Sequence, residues 1–249
     1  MSVALAPIFG ALFGSFLNVV IWRLPRGENL ATPPSHCPGC GSAVRPFDNV
    51  PVLSWLLLRG RCRDCQTSIS ARYPLVEALT ALLMALVPLL VGTGADMWTG
   101  FVLVLLLVPI TFIDLDHRII PNKLTGLGAI AAVVLVAALQ PSELVEHLVA
   151  GVSAAAFLFV ALMAYPGGMG MGDVKLAGVL GLFLGRAVGP AMLVALVAGT
   201  VVGGVVMAVK GVKAGRKTAI PFGPFLALGG LVGLFAGDAI VDWYLDTFV

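Results

Sequence analysis

Apolar runs long enough to cross a bilayer recur along the whole chain, and this limits what it can fold into more than any single motif. A spanning helix needs about 20 mostly apolar residues. We read about eight such spans, near residues 3–22, 75–92, 99–113, 124–139, 147–165, 174–189, 191–209 and 221–240, the sixth being the shortest. Only 11% of the 249 residues are charged and 59% are hydrophobic, against roughly 25% charged in an ordinary soluble domain. The expected fold is therefore an all-α polytopic membrane protein, with a small polar insert between the first two spans and no room for a separate large soluble enzyme. A net charge of +2 gives no reason to expect a nucleic-acid partner. Met1 to Ile8 lacks a basic stretch, so the first apolar run is expected to be a retained helix and not a cleaved signal.

Charge sets the orientation. With the N-terminus outside, residues 23–74, 114–123, 166–173 and 210–220 fall on the cytosolic side. These segments and the helix ends touching them carry every Lys and Arg except Arg186. The opposite face carries Asp96, Glu143, Glu146, Asp238, Asp242 and Asp246. Cytosolic enrichment in Lys and Arg orients helices during insertion, so the reverse topology is disfavoured. Glycines spaced four apart (Gly10/Gly14, Gly181/Gly185, Gly199/Gly203, Gly229/Gly233/Gly237) let backbones approach closely in lipid, either within one bundle or between two copies of the chain.

Three segments follow in order: 1–22 as the first transmembrane helix, 23–74 as a cytosolic insert, and 75–249 as the main membrane bundle. The insert is rich in Pro and Arg and holds all four cysteines, Cys37-Pro-Gly-Cys40 and Cys62-Arg-Asp-Cys65. Each C-x-x-C pair puts two thiolates on one tight turn, and two such turns complete a tetrahedral zinc site. Gly39 and Gly41 are suited to the turns. Two disulfides are disfavoured by the reducing cytosol, and a thioredoxin-like site would need a βαβ setting that the sequence lacks. Four cysteine ligands close the metal to water, so the expected role is structural, with His36 a bystander.

Ionisable groups at the rim of an apolar span are costly and usually functional. Two clusters stand out: Asp114-Leu-Asp116-His117-Arg118-Ile-Ile-Pro121-Asn122, ending the third span, and Gly167-Gly-Met-Gly170-Met-Gly172-Asp173-Val-Lys175, opening the sixth. Both fall on one membrane face. Two carboxylates about 3 Å apart share a proton; the ionised one activates water and the protonated one donates to a carbonyl. Glycines before Asp173 leave room for a substrate backbone. No G-x-S-x-G or H-E-x-x-H motif competes with this chemistry. The plainer reading stays open: Asp114 and Asp116 as solvated helix ends, and Asp173 as a helix cap.

The combination resembles the type IV prepilin peptidases, also called leader peptidase/N-methyltransferases. In order, the matching segments are Gly14-Ser-Phe-Leu-Asn18-Val-Val-Ile-Trp-Arg23-Leu-Pro25, the two cysteine pairs flanking Asp48 to Leu56, Ile69 to Glu77, Asp114 to Pro121, and Gly170 to Lys175. The resemblance implies eight transmembrane helices in a bacterial inner membrane, with a periplasmic N-terminus and an active site facing the cytosol. It implies an aspartyl endopeptidase that removes a short basic leader, typically after glycine, from prepilin or pseudopilin substrates. Its catalytic pair maps onto Asp114 and Asp173, with Asp116 the nearest competitor for the first place. The complete cysteine insert is similar to that of members that then methylate the new N-terminus with S-adenosylmethionine; residues for that activity are not assigned.

Around this core, Glu77 is expected either to pair with Arg72 or to contact substrate, and Asn18 to satisfy the backbone of a neighbouring helix. Lys175 is a candidate for holding a carboxylate or the leader. Ile220-Pro-Phe-Gly-Pro-Phe225 resembles a family segment, or serves only to start the last helix. Two rival functions remain: a non-catalytic zinc-knuckle scaffold for pilus or secretion-system assembly, and a proton-coupled transporter. Transport favours ionisable groups near the midplane, which these clusters are not.

Overall fold

A computed structural model of the chain describes residues 3–165, 168–211 and 218–248. Gly167 of the second carboxylate cluster and residues 212–217 of the 210–220 loop lie outside them. The described residues form helices α1 (Ala6–Arg23), α2 (Leu53–Leu57), α3 (Arg72–Leu90), α4 (Ala95–His117), α5 (Asn122–Leu139), α6 (Leu144–Ala164), α7 (Met171–Leu184), α8 (Val188–Lys210) and α9 (Gly223–Phe248), with short 3-10 turns between some of them. Among them there is no strand, only isolated bridges joining His36 to Ala43 and Arg61 to Ser68.

Among the described residues, seven helical runs are long and apolar enough to cross a membrane. The longest, Met171–Lys210, contains two helices, α7 and α8, divided at Gly185. Gly185 has φ +52°, which ends α7 without the clash a Cβ would meet there. The sequence had paired Gly185 with Gly181 as a packing stripe; it is instead the break. At 14 residues, α7 extends about 21 Å, short of the ~30 Å hydrocarbon core. It is the span that the sequence marked as shortest.

The chain divides into two compact units, Met1–Gly92 and Thr93–Val249. In the first, α1 packs on α3 through glycine. A Cβ on Gly10 would lie 2.7 Å from the Ala81 Cα, and one on Gly14 would lie 2.7 Å from the Glu77 Cα. In lipid such close backbone approach replaces the hydrophobic drive for helix association. Asn18 of α1 donates to the Tyr73 carbonyl at 3.1 Å, meeting the backbone partner expected of it.

In the second unit α4 supplies much of the core: Leu103, Leu107, Ile110 and Ile113 are fully buried, together with Leu158 of α6, Leu176 and Leu180 of α7 and Leu226 of α9. The glycine stripe of α9 lies on the start of α8. A Cβ on Gly229 would overlap the Ala191 carbonyl oxygen, and one on Gly233 would approach the Ala191 Cβ to 2.9 Å. Gly203 of α8 has no atom within 4 Å of its Cβ position. Gly229→Leu is therefore expected to cost at least the ~1–3 kcal/mol of an overpacked core, read as a lower unfolding midpoint in detergent. Gly203→Leu should leave that midpoint within error.

The two ends of this unit differ in charge. One end collects the C-terminus of α4 with the N-termini of α5, α7 and α9. At the other, Arg186 binds Asp238 at 2.9 Å and Asp242 at 2.8 Å, and its backbone amide donates to Glu146 at 2.9 Å. The one cation that broke the charge pattern of the sequence is thus held by the acidic residues of its own end.

Candidate active site and metal centre

Asp114 occupies the last turn of α4, which closes where Arg118 enters the left-handed region (φ +55°) and donates its amide to the Asp114 carbonyl at 2.9 Å. The Asp114 side chain is 4% exposed, whereas Asp116 is exposed. Two residues along a helix turn the side chain by about 200°, so one carboxylate faces the bundle and the other faces away. Inside, Oδ2 of Asp114 accepts the amide of Gly223 at 2.9 Å. Position 223 has to be glycine, because a Cβ there would stand 2.6 Å from that same oxygen.

Asp173 lies in the first turn of α7 and is 8% exposed. Its amide donates to the Gly170 carbonyl at 3.1 Å, and its Oδ2 accepts the Gly170 amide at 2.8 Å. The N-cap of α7 is thus Gly170 and not Asp173; Asp173 is the third residue of the helix, and its carboxylate reaches back to the N-cap amide as the N3 acid of a capping box does. Gly172 backs onto Ile120, where a Cβ would come within 3.0 Å of the Ile120 Cβ, bringing the start of α7 against the segment that follows α4. Both carboxylates thus stand at the same end of the second unit. Each has one oxygen fixed by a glycine amide.

The sequence reading missed Gly223. A backbone donor leaves no side-chain signature, and its one trace was the proline-flanked Phe-Gly-Pro of the 220–225 segment. Lys175, the candidate for a carboxylate or leader contact, donates from Nζ to the Asn122 Oδ1 at 2.8 Å, tying α7 to α5. In the first unit Glu77 is buried and accepts the Val52 amide at 2.7 Å, with the Ser15 hydroxyl also bonded to it. Val52 sits at φ +61°, a strained backbone for a β-branched residue, and the Glu77 bond holds it there.

The four cysteines come together. Their sulfurs all lie within 4.8 Å of one another, and those of Cys37 and Cys65 are 3.6 Å apart and not bonded. Zn–S bonds of about 2.3 Å in a tetrahedron set sulfurs about 3.8 Å apart, so the set fits a metal held by four thiolates. His36 stays out of it, its Nδ1 being 3.1 Å from the Pro34 carbonyl. The two turns repeat each other. Cys37 N–H donates to Ser42 O and Gly41 N–H to Cys37 O, as Cys62 N–H donates to Thr67 O and Gln66 N–H to Cys62 O. Left-handed residues fall at the same place, Gly41 (φ +72°) and Gln66 (φ +58°). Gly39 serves differently from the turn role expected of it: it admits Thr67 of the other knuckle, whose Oγ1 would be 2.7 Å from a Cβ.

Hydrogen bonds from the Thr67 hydroxyl and amide bring the Cys65 thiol down to about 6. Amides of Cys40 and Gly39 favour a Cys37 thiolate, yet burial and the Cys62 and Cys65 sulfurs push Cys37 up to about 11. Four sulfurs this close cannot all ionise without a cation between them. Salt bridges brace the knuckles, Arg63 to Asp48 at 2.6 Å and Arg45 to Asp64 at 3.0 Å. The Arg63 guanidinium holds the Asp48 carboxyl below its usual range.

Known proteins resemble this chain over almost its full length. A model of the bacterial peptidase A24 N-terminal domain matches residues 8–91, and one of the type IV leader peptidase family matches residues 101–208. The prepilin leader peptidase/N-methyltransferase of Aeromonas hydrophila is 37% identical, covering 97% of this chain and 93% of its own length. That of Legionella pneumophila is 36% identical, over 97% and 94%. The type 4 prepilin-like proteins leader peptide-processing enzyme of an enterotoxigenic Escherichia coli strain is 40% identical, over 93% of each. No solved structure matches. With both family models matched in chain order and relatives this similar from end to end, the chain belongs to the type IV leader peptidase family.

Proposed function

We propose that this protein is an aspartyl endopeptidase that removes leader peptides from prepilins or pseudopilins, with Asp114 and Asp173 as its catalytic pair. The observation that carries the reading is the pair itself: two buried carboxylates on different helices at one end of the unit, each fixed by a glycine amide. With one proton between them, the ionised carboxylate takes a proton from water as it attacks the scissile carbonyl, and the protonated one donates to the carbonyl oxygen. The Gly223 and Gly170 amides keep both side chains in one rotamer, so the geometry is set before substrate arrives.

Membrane residence suits such a substrate, whose apolar stalk is itself in the bilayer. The enzyme would lie in a bacterial inner membrane with its N-terminus periplasmic, placing the end of the second unit that holds Asp114 and Asp173 at the cytosolic face. Segregation of the Lys and Arg residues supports this orientation. Zinc on Cys37, Cys40, Cys62 and Cys65 would act as a structural staple. Methylation of the new N-terminus by S-adenosylmethionine is proposed from the names of the relatives. Among the described residues no strand–turn–helix cradle of the dinucleotide-binding kind exists, and no residue is assigned to that step.

The reading is tested with detergent-purified protein and a precursor carrying a basic leader and an apolar stalk. Release of the leader at one peptide bond is expected, identified by product mass. Gly223→Ala should lower the rate at least tenfold by displacing Asp114, since misplacement by about 1 Å can cost 10²-fold. A folded wild-type protein that never cuts would move the scaffold reading to the front.

A further inference from the structure

Helix α2 of the insert carries its apolar side chains on the outside and its polar ones inward. Leu53, Leu56 and Leu57 are 59%, 57% and 83% exposed, and at i, i+3 and i+4 they share one face of the helix. Ser54, off that face, is buried; its hydroxyl donates to the Phe47 carbonyl at 3.0 Å and accepts the Val50 amide at 3.2 Å. The Trp55 ring nitrogen donates to the Ile69 carbonyl at 3.0 Å. A surface segment in water has the reverse arrangement.

The neighbours of α2 set its depth. α3 has 19 residues and extends about 28 Å, so nearly all of it is needed to cross the ~30 Å hydrocarbon core. Glu77 lies five residues past the start of α3, about 7.5 Å along its axis. It bonds Ser15 of α1, which is eight residues, or about 12 Å, from the end of that helix at Arg23. At that end Trp22 is exposed, with the Arg26 guanidinium 3.7 Å from its ring centre, a pairing suited to the headgroup level. The Val52 amide, bonded to Glu77 at 2.7 Å, is therefore held below the headgroups, and α2 starts at the next residue. Backbone at that depth needs its amides satisfied. Those of Ser54, Leu56 and Leu58 donate to the Val50, Val52 and Ser54 carbonyls at 2.9–3.1 Å.

We propose that α2 is seated in the lipid leaflet on the insert's side of the membrane, with Leu53, Leu56 and Leu57 among the acyl chains and Arg59 and Arg61 on anionic headgroups. Arg59, at φ +51°, turns the chain out of α2. Both arginines are exposed, and neither forms an ion pair among the described residues. Basic side chains at this level attract anionic lipid. In the orientation proposed above the leaflet is the cytosolic one. The seating does not depend on peptidase activity, so its test needs no cleavage.

The full chain is placed in nanodiscs of phosphatidylcholine and phosphatidylglycerol that contain a phospholipid with a diazirine on its acyl chain. After irradiation, lipid adducts are located by peptide mass spectrometry. Wild type should carry adducts in 53–57 at a yield similar to that in 75–82 of α3, where Leu75 and Leu82 are exposed. Neither cysteine knuckle should be labelled to that extent. Leu56→Ser with Leu57→Ser should lower the yield in 53–57 at least about tenfold, because the apolar area that seats the helix is lost. The α3 yield and the unfolding midpoint should stay unchanged, since both leucines already face outward. Arg59→Gln with Arg61→Gln, or discs of phosphatidylcholine alone, should lower the yield about threefold or more. If 53–57 of wild type is unlabelled while α3 is labelled, the seating is overturned. The face is then covered by a second copy if the discs hold two chains, and by water if they hold one. A yield equal in both bilayers overturns the headgroup contact.

Discussion

Replacing Asp114 or Asp173 with asparagine is expected to reduce leader cleavage about a thousandfold or more while the purified protein stays folded. General acid–base groups typically contribute about 10²–10⁴-fold, and in the proposed mechanism each carboxylate serves as one half of a unit. Asparagine is the informative substitution because its amide oxygen can still accept the Gly223 or Gly170 N–H bond. The side chain keeps its place and shape, and only proton exchange is lost. Since the two act together, the double variant should be little worse than either single one. Asp116→Asn is the matched control, one helical half-turn away and exposed; it should cleave at close to the wild-type rate. Measured rates on one precursor decide between these outcomes. Either single variant retaining a tenth of the activity would remove that aspartate from the catalytic pair.

Much of this site can be read directly in the sequence, for a definable reason. A carboxylate at the edge of an apolar run is expensive, so Asp114 and Asp173 stand out against a chain with few charges. The cysteine pairs stand out as well, because metal spacing is a local property. Features that depend on backbone alone leave no such mark. Gly223 contributes an amide, and a chain with 30 glycines gives no reason to single it out. Gln66 takes the left-handed place that Gly41 fills in the other knuckle, and glutamine does not advertise it. The sequence did separate α7 from α8, but near residue 190 and not at Gly185, because hydropathy runs on without interruption across the true break. Periodicity gives the helices, while the backbone breaks and the amide contacts that fix each carboxylate arise only in the folded chain.

Removing the metal is expected to unfold the insert while leaving the membrane helices in place. Between residues 24 and 71 only Cys37, Ser54, Gly60 and Cys62 are buried, so the segment has no apolar core from which to draw stability. Its salt bridges, Arg63–Asp48 and Arg45–Asp64, lie at the surface, where water screens them, and do not replace a core. Structural zinc in small domains supplies about 10–16 kcal/mol of apparent binding energy, and that energy is folding energy. Cys37→Ser with Cys62→Ser removes the two buried ligands, one from each knuckle, so neither turn can hold the ion alone. Wild-type protein should carry close to one zinc per chain, and the double variant almost none. In limited proteolysis the wild-type insert should resist cutting, and the variant should be nicked within 24–71 at least tenfold faster, its helices remaining protected by detergent. A strong chelator should bring wild type to the same state, and added zinc should restore it. Reducing agent alone should do nothing, because the four thiols are already free. An insert that stays protease-resistant without metal would mean that the knuckle backbone bonds suffice, and the cysteines would then need another role.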